Sequence, residues 1–491
     1  MKIHQLLEHH GINRNPFSEE DAQTDPVFKD LCIHETYHPA WDKVFGDPAE
    51  PASAIVFGEK GAGKTALRLQ IAKHVEIHNE TVPEKKVFIV EYDDFNPFLD
   101  RFRERFSGRR RRADRLLLEW KLWDHMDAIL VLGVTQLVDR IMKGTEITTN
   151  FDRHRCRDML LLAACYDQST AETKIGRWEK LRKCLRFKNW FAKWDTGLGL
   201  MGSILLGLSM ILLAVRHDSS FFTPFYCYLY LAVLLAVWAP WFLRTIRCLL
   251  LARRIHQHLR VGVGELSDLR QILRRFYARD WRGQPFPSKD RTDDRYELLA
   301  KFQGILQSLE YTGIFVLVDR IDEPHLINGS AELMRLLLWP MLDNKFLKQP
   351  GIGLKLMLPV ELTEFVERED RDFYQRARLD KQNMIPTLEW TGVSLYDMAN
   401  ARIQACANEG SSPHLRTLLD DSVTDQRLLE ALGSLRVPRN LFKFLYRLLV
   451  AHCNAHTDQQ PTWQISRDTF ESILAVFSRE QDAFDRGLGA G

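Results

Sequence analysis

Gly58-Glu59-Lys60-Gly61-Ala62-Gly63-Lys64-Thr65 matches the pattern G-x-x-x-x-G-K-[ST] in full. An apolar run, Ser53-Ala54-Ile55-Val56-Phe57, leads into it, and a helical pattern from Ala66 to Val75 leads out. In a strand–loop–helix unit of this kind, glycines let successive backbone N–H groups turn inward around phosphate oxygens. The helix start adds its partial positive charge. Lys64 is expected to reach the β- and γ-phosphates of a nucleotide, and the Thr65 hydroxyl to ligate Mg²⁺. The cradle is expected to comprise Gly58, Glu59, Lys60, Gly61, Ala62, Gly63, Lys64, Thr65 and Ala66.

Such a loop works with a carboxylate at the end of a neighbouring strand. Gly313-Ile314-Phe315-Val316-Leu317-Val318-Asp319-Arg320-Ile321-Asp322-Glu323 supplies one, because an apolar run ends there in acidic residues. Asp319 is placed to hold Mg²⁺ through water. Glu323 or Asp322, about one turn on, is placed to orient and deprotonate an attacking water.

Other apolar runs read as strands at Ala54–Phe57, Lys86–Tyr92 and Leu354–Val360. Helical periodicity covers Ala66–His78, Leu116–Met142, Glu265–Ala278, Arg295–Glu310 and Asn440–His452. Strands alternating with helices predict an α/β fold with a mostly parallel sheet covered on both faces. The chain has 491 residues, 67 Lys and Arg against 65 Asp and Glu, and a net charge of +2. That balance argues against a nucleic-acid partner, whose footprint is a strong basic excess. The eight cysteines are widely spaced without a C-x-x-C pair, as expected of reduced thiols in a reducing compartment. The N-terminus carries no signal-peptide core, so the chain is expected to begin in the cytoplasm.

The mean hydropathy of −0.25 hides one local excess. Thr196–Val215 runs 20 residues without a formal charge, and Ser219–Leu243 runs 25. Each is long enough as a helix to cross a hydrocarbon layer of about 30 Å. Seven basic residues lie between Arg177 and Lys193 and five between Arg244 and Arg260, whereas the connecting loop holds Arg216, His217 and Asp218. The positive-inside rule then puts both flanks in the cytoplasm. Trp190, Trp194, Phe221, Phe222, Trp238 and Trp241 fall where an aromatic belt is expected, and Pro224 and Pro240 fall near the ends of the second run.

The GEKGAGKT loop, the IFVLVDRIDE strand and an apolar hairpin inserted between them resemble the KAP-type P-loop NTPases, membrane-inserted relatives of the STAND and AAA+ ATPases. The acidic strand here runs V-D-R-I-D-E-P where the KAP pattern tends toward I-D-D-L-D-R. The D-x-x-D-E form is closer to the STAND and origin-recognition ATPases. The resemblance implies an inner-membrane, multi-pass ATPase that binds and hydrolyses Mg²⁺-ATP and couples nucleotide state to the hairpin. The alternative it implies is a STAND-like switch or phage-defence protein that binds ATP, oligomerises at the membrane and turns over slowly. Expected partners are ATP, the lipid bilayer, further copies of the chain and a protein of unknown identity.

Gly58 and Asp319 are 261 residues apart, far more than the one or two βα units between them require. The expected layout is a lead-in at 1–50, a first NTPase segment at 51–106, and a helical insert at 107–290. A second NTPase segment at 291–379 and a C-terminal helical lid at 380–491 complete it. The transmembrane helices are expected at 196–215 and 220–243.

Further candidates are weaker. Arg436-Val437-Pro438-Arg439-Asn440 is similar to the sensor 2 motif of the origin-recognition ATPases, which would carry Arg439 over the phosphates. Read without the resemblance, it is a helix start capped by Asn440. Arg371, Arg376 and Arg378 lie where related ATPases supply an arginine finger, and are otherwise surface charge. Asn15-Pro16-Phe17 and His38-Pro39-Ala40-Trp41 offer an aromatic wall for a base or else a packed N-terminal arm. The Arg109–Arg112 run is suited to anionic lipid head groups and equally to a solvated loop.

Overall fold

The computed structural model describes residues 1–34, 36–146, 151–168, 172–188, 194–216, 224–262 and 264–485. Trp190, Lys193, His217, Asp218, Phe221 and Phe222 lie outside these residues. The chain divides into two compact units, Met1–Asp94 with Gly313–Gly491, and Phe95–Thr312.

The first unit is built on a five-stranded parallel sheet. Its strands are β1 (Ala54–Gly58), β2 (Lys86–Tyr92), β3 (Tyr311–Val318), β4 (Ile352–Pro359) and β5 (Asn383–Ile385), in spatial order β2-β3-β4-β1-β5. All of β1 and β4 is buried, as is β3 apart from Thr312, which is the expected state of strands covered on both faces. β4 lies between β1 and β3 and pairs in parallel with both. Gly58 is in register with Pro359, and Val318 with Leu356. The loop after β1 and the acidic turn after β3 therefore leave the same edge of the sheet. In open α/β sheets that carboxyl edge is where ligands bind.

Lys355 stands in the middle of β4, 1% exposed, where an apolar residue is expected. Its ammonium donates to the carbonyls of Val44 (2.6 Å), Phe45 (3.0 Å) and Ala52 (2.8 Å) and lies 4.6 Å from the centre of the Phe315 ring. All three protons thus meet an acceptor, and the lead-in segment is tied to the sheet.

Four helices close this unit, Gly392–Ala405, Asp425–Ser434, Pro438–Ala455 and Arg467–Asp485. In the third, Leu441, Leu445, Leu448, Leu449 and His452 recur at helical spacing and are buried. The four leucines share a core with Leu6, Leu7, Ile12 and Phe17 from the N-terminus. The cap of this helix differs from the expected one. Val437 occupies the N-cap with Pro438 next to it, and Asn440 lies inside, its amide donating to the Leu435 carbonyl at 3.1 Å. Proline at the first helical position, where no N–H is needed, fixes the start two residues earlier.

The second unit is helical, apart from the first residues of β3. Leu122–Lys143 is buried on nearly all sides. The periodicity predicted one helix over Leu116–Met142, but the chain breaks between Ala113–Leu118 and Leu122–Lys143. There the Asp124 carboxylate accepts the Lys121 N–H at 2.8 Å and starts a new helix. Several buried charges inside this unit are matched. Arg295 and Asp127, both fully buried, pair at 3.0 Å, and Tyr166 donates to the same carboxylate at 2.8 Å. Arg260 pairs with Asp124, and Arg177 with Asp167 and Asp139. Removing one member of such a pair strands a buried charge.

Two helices here, Trp194–Arg216 and Pro224–His258, are long and apolar enough to cross a membrane. They pack on each other through small residues. A side chain at Gly202 would meet Val237, and one at Gly199 would meet Trp238. Trp238 donates to Ser203 at 3.0 Å, and Arg244 pairs with Asp195 at 3.0 Å. Their outward faces are apolar, with Leu205, Ile211, Leu231 and Leu235 all more than half exposed. The second helix runs 15 residues beyond Leu243, so Pro240 lies inside it and not near its end. The uninterrupted helical pattern of Arg244 to His258 outweighs the one hydrogen bond that proline removes.

Candidate functional site

The loop after β1 turns on two glycines. Gly61 and Gly63 have φ of +91° and +95°, values that L side chains rarely adopt. The Lys64–Thr81 helix starts directly after them. Lys64 folds back over the loop, its ammonium donating to the carbonyls of Gly58 (2.6 Å) and Glu59 (3.0 Å). Burial lowers the Lys64 pKa, while Asp319, Asp322 and Glu361 oppose that shift.

The Thr65 hydroxyl donates to Asp319 Oδ2 at 2.9 Å, across the width of β4. Asp319 is 2% exposed, and its other oxygen accepts the Arg320 N–H at 2.9 Å. Arg320 adopts φ +59°, an uncommon conformation for a residue other than glycine. Burial raises the Asp319 pKa, and the nearby Arg68 charge is the largest opposing effect.

Arg68 was not singled out from the sequence. It lies 2% exposed on the Lys64–Thr81 helix, with Nη1 2.9 Å from both Glu91 and Asp93 and Nε 3.4 Å from Asp319. An arginine beside the buried Leu67, Ile71 and Val75, with two carboxylates spaced at the end of a predicted strand, was the available signal.

Asp322 and Glu323 follow on the same turn. Glu323 is 58% exposed and 3.6 Å from Arg320. Burial raises its pKa, with Arg320 acting against it. On the other side of the loop, the Arg439 N–H donates to the Gly61 carbonyl at 3.3 Å, and Trp390 Nε1 donates to the Ala62 carbonyl at 2.9 Å. Arg439 also lies 4.0 Å from Glu20, which pairs more closely with Lys443 at 3.1 Å.

Most of these residues line one cavity of about 360 Å³, within the usual range for small-molecule sites, whereas Gly58, Glu59 and Arg68 lie outside its lining. It brings together Lys60, Gly61, Ala62, Gly63, Lys64, Thr65, Ala66, Asp319, Asp322, Glu323 and Arg439. Trp390, Phe442, Phe28 and Met398 add apolar surface, and Asp25 and Arg402 add a buried ion pair. Of the lead-in aromatics and the histidine beside them, His38 lines the cavity, and its ring meets Trp390 edge-on. Trp41 packs instead on Phe45, Tyr37 and His74, and Phe17 stacks on Phe442. Arg376 lies over the Phe373 ring.

Among the described residues, seven carboxylates line the cavity against five Lys and Arg side chains. No group of three or more His, Cys, Asp or Glu side chains converges as a metal site among them. Thr65 and Asp319 still present two hard oxygen donors side by side. A hydroxyl that spends its proton on Asp319 keeps its lone pairs for a cation.

No family model matches this chain, and neither do any curated proteins or solved structures.

Proposed function

We propose that this protein is a membrane-anchored P-loop ATPase of the KAP type. The observation that carries this reading is the Thr65–Asp319 hydrogen bond, which joins a glycine loop bearing Lys64 to an acidic strand end at one sheet edge. On this reading the loop N–H groups and Lys64 hold the β- and γ-phosphates of ATP. The apolar surface of Trp390 and Phe442 suits its base, and Arg439 stands by the loop. Thr65 would hold Mg²⁺ directly and Asp319 through water. The cation would supply charge neutralisation for the phosphates. An acidic excess in the cavity fits a nucleotide that arrives with a divalent cation rather than alone. Glu323, or Asp322 beside it, would take the proton of a water attacking the γ-phosphorus while the bond from that phosphorus to the β–γ bridging oxygen breaks, so that ADP and phosphate leave. The C-terminal helices act as a lid, and the apolar hairpin anchors the chain in the inner membrane.

The Arg320–Glu323 ion pair favours a second reading, in which the same site works as a slow switch. A carboxylate engaged by a guanidinium is a weaker base, and turnover would wait on its release. Nucleotide-dependent assembly of copies at the membrane would then be the output.

Equilibrium binding of Mg²⁺-ATP to the full chain tests the proposal. Lys64→Ala should abolish binding, and Asp319→Asn should weaken it only when Mg²⁺ is present. Unchanged affinity in Lys64→Ala overturns the reading.

A further inference from the structure

The base of the apolar hairpin carries more positive charge than its neighbours match. Arg244, the first charged residue after Leu243, pairs with Asp195 and also caps a helix end. Its Nη2 donates to the carbonyls of Arg274 (2.7 Å) and Phe276 (2.6 Å), just past Leu266–Leu273. Arg270 and Arg274 lie one helical turn apart, so their side chains share a face. Both are half-buried, and the Nε–H of each is fully buried without a hydrogen-bond acceptor. Among the described residues no carboxylate pairs with either of them. Burial lowers the Arg274 pKa, Arg270 and Arg244 add to that shift, and the Cys248 thiol opposes it.

Like charges at this spacing destabilise a helix, and a buried guanidinium N–H without an acceptor adds to the cost. An anion at the exposed ends of the two side chains would offset the repulsion between them. Guanidinium groups present planar forks that match phosphate oxygens. The position narrows the source, because Leu243 ends the uncharged run and lipid phosphates lie at that boundary. We propose that Arg270 and Arg274, beside Arg244, form a binding site for the phosphate group of an anionic phospholipid. This rests on the hairpin crossing the membrane.

Native mass spectrometry of the full chain in detergent, titrated with dioleoyl phosphatidylglycerol, reads the site. The parent should retain this lipid in preference to dioleoyl phosphatidylcholine. The double variant Arg270→Gln/Arg274→Gln should lose roughly 30-fold in affinity for two charges removed at the membrane surface. Arg270→Lys/Arg274→Lys should keep most of it, which separates lost charge from lost folding. Inorganic phosphate at equal concentration should not displace the lipid. Parent-like binding by the Gln variant, equal retention of phosphatidylcholine, or displacement by inorganic phosphate each overturns the lipid site. Carbonate extraction of parent membranes reads the hairpin separately. A chain that stays in the pellet while the Gln variant binds normally refutes the site alone, and a chain released to the supernatant refutes the hairpin and the site with it.

Discussion

Arg68 Nε lies 3.4 Å from Asp319 Oδ2, and the same guanidinium reaches Glu91 and Asp93 at 2.9 Å. One buried cation thereby joins the loop helix to the ends of β2 and β3. Three carboxylates converge on it, and of these Asp319 is the buried one.

Arg68→Met should therefore destabilise the chain by about 3–5 kcal/mol, the usual result of stranding buried charge. The midpoint of urea unfolding measures it. Arg68→Lys should recover only part, because an ammonium lacks the fork that spans three partners.

Gly61→Ala combines two penalties. The left-handed backbone costs about 1–2 kcal/mol, and the new methyl would sit 2.7 Å from Arg439 Cβ. Gly144→Ala is the matched control, since Gly144 has φ +75° and open space around it. Nucleotide affinity should fall at least tenfold in the first variant and stay at the parent value in the second.

Glu323→Gln should slow ATP turnover by roughly 10²–10⁴-fold, the usual effect of removing a general base. Binding should persist, because Lys64, Thr65 and Asp319 are untouched. If Asp322→Asn slows turnover and Glu323→Gln does not, the base is Asp322. Arg320→Ala should raise the rate if the Arg320–Glu323 pair restrains the carboxylate.

Burial pushes the Lys355 ammonium down to about 7, against about 10.4 for a lysine in the unfolded chain. Between those values the unfolded state holds a proton that the folded state has released. Stability from this group should thus rise with pH from about 7 to about 10, by at most about 1.4 kcal/mol per unit. The penalty is fully present below pH 7. Lys355→Met should flatten that slope in urea titrations. A parent whose stability falls over the same window would show that the carbonyls of Val44, Phe45 and Ala52 keep the proton in place.

What could be read in advance depended on how local each signal was. The run from Ser53 to Thr65 carries its strand, turn and helix start within 13 residues, and β2 was bounded at Lys86 and Tyr92 as observed. β5 has three residues, too few for any periodicity to register. Arg68 was missed because its partners come from the ends of two other strands, and spacing along one helix says nothing about them. Trp390 was missed for the same reason, since its hydrogen bond to Ala62 joins residues 328 apart. The position of β4 between β1 and β3 is a property of the sheet, and no short stretch of sequence encodes it.

The Pro224–His258 helix spans 35 residues without a break, about 52 Å at 1.5 Å per residue. It behaves as a lever arm with one compliant point, Pro240, which cannot donate to the Ala236 carbonyl. A tilt of one degree at its His258 end sweeps the far tip by about 0.9 Å over that length. Small rearrangements at the His258 end are thus converted into displacements of atomic size at the opposite end, less whatever Pro240 takes up.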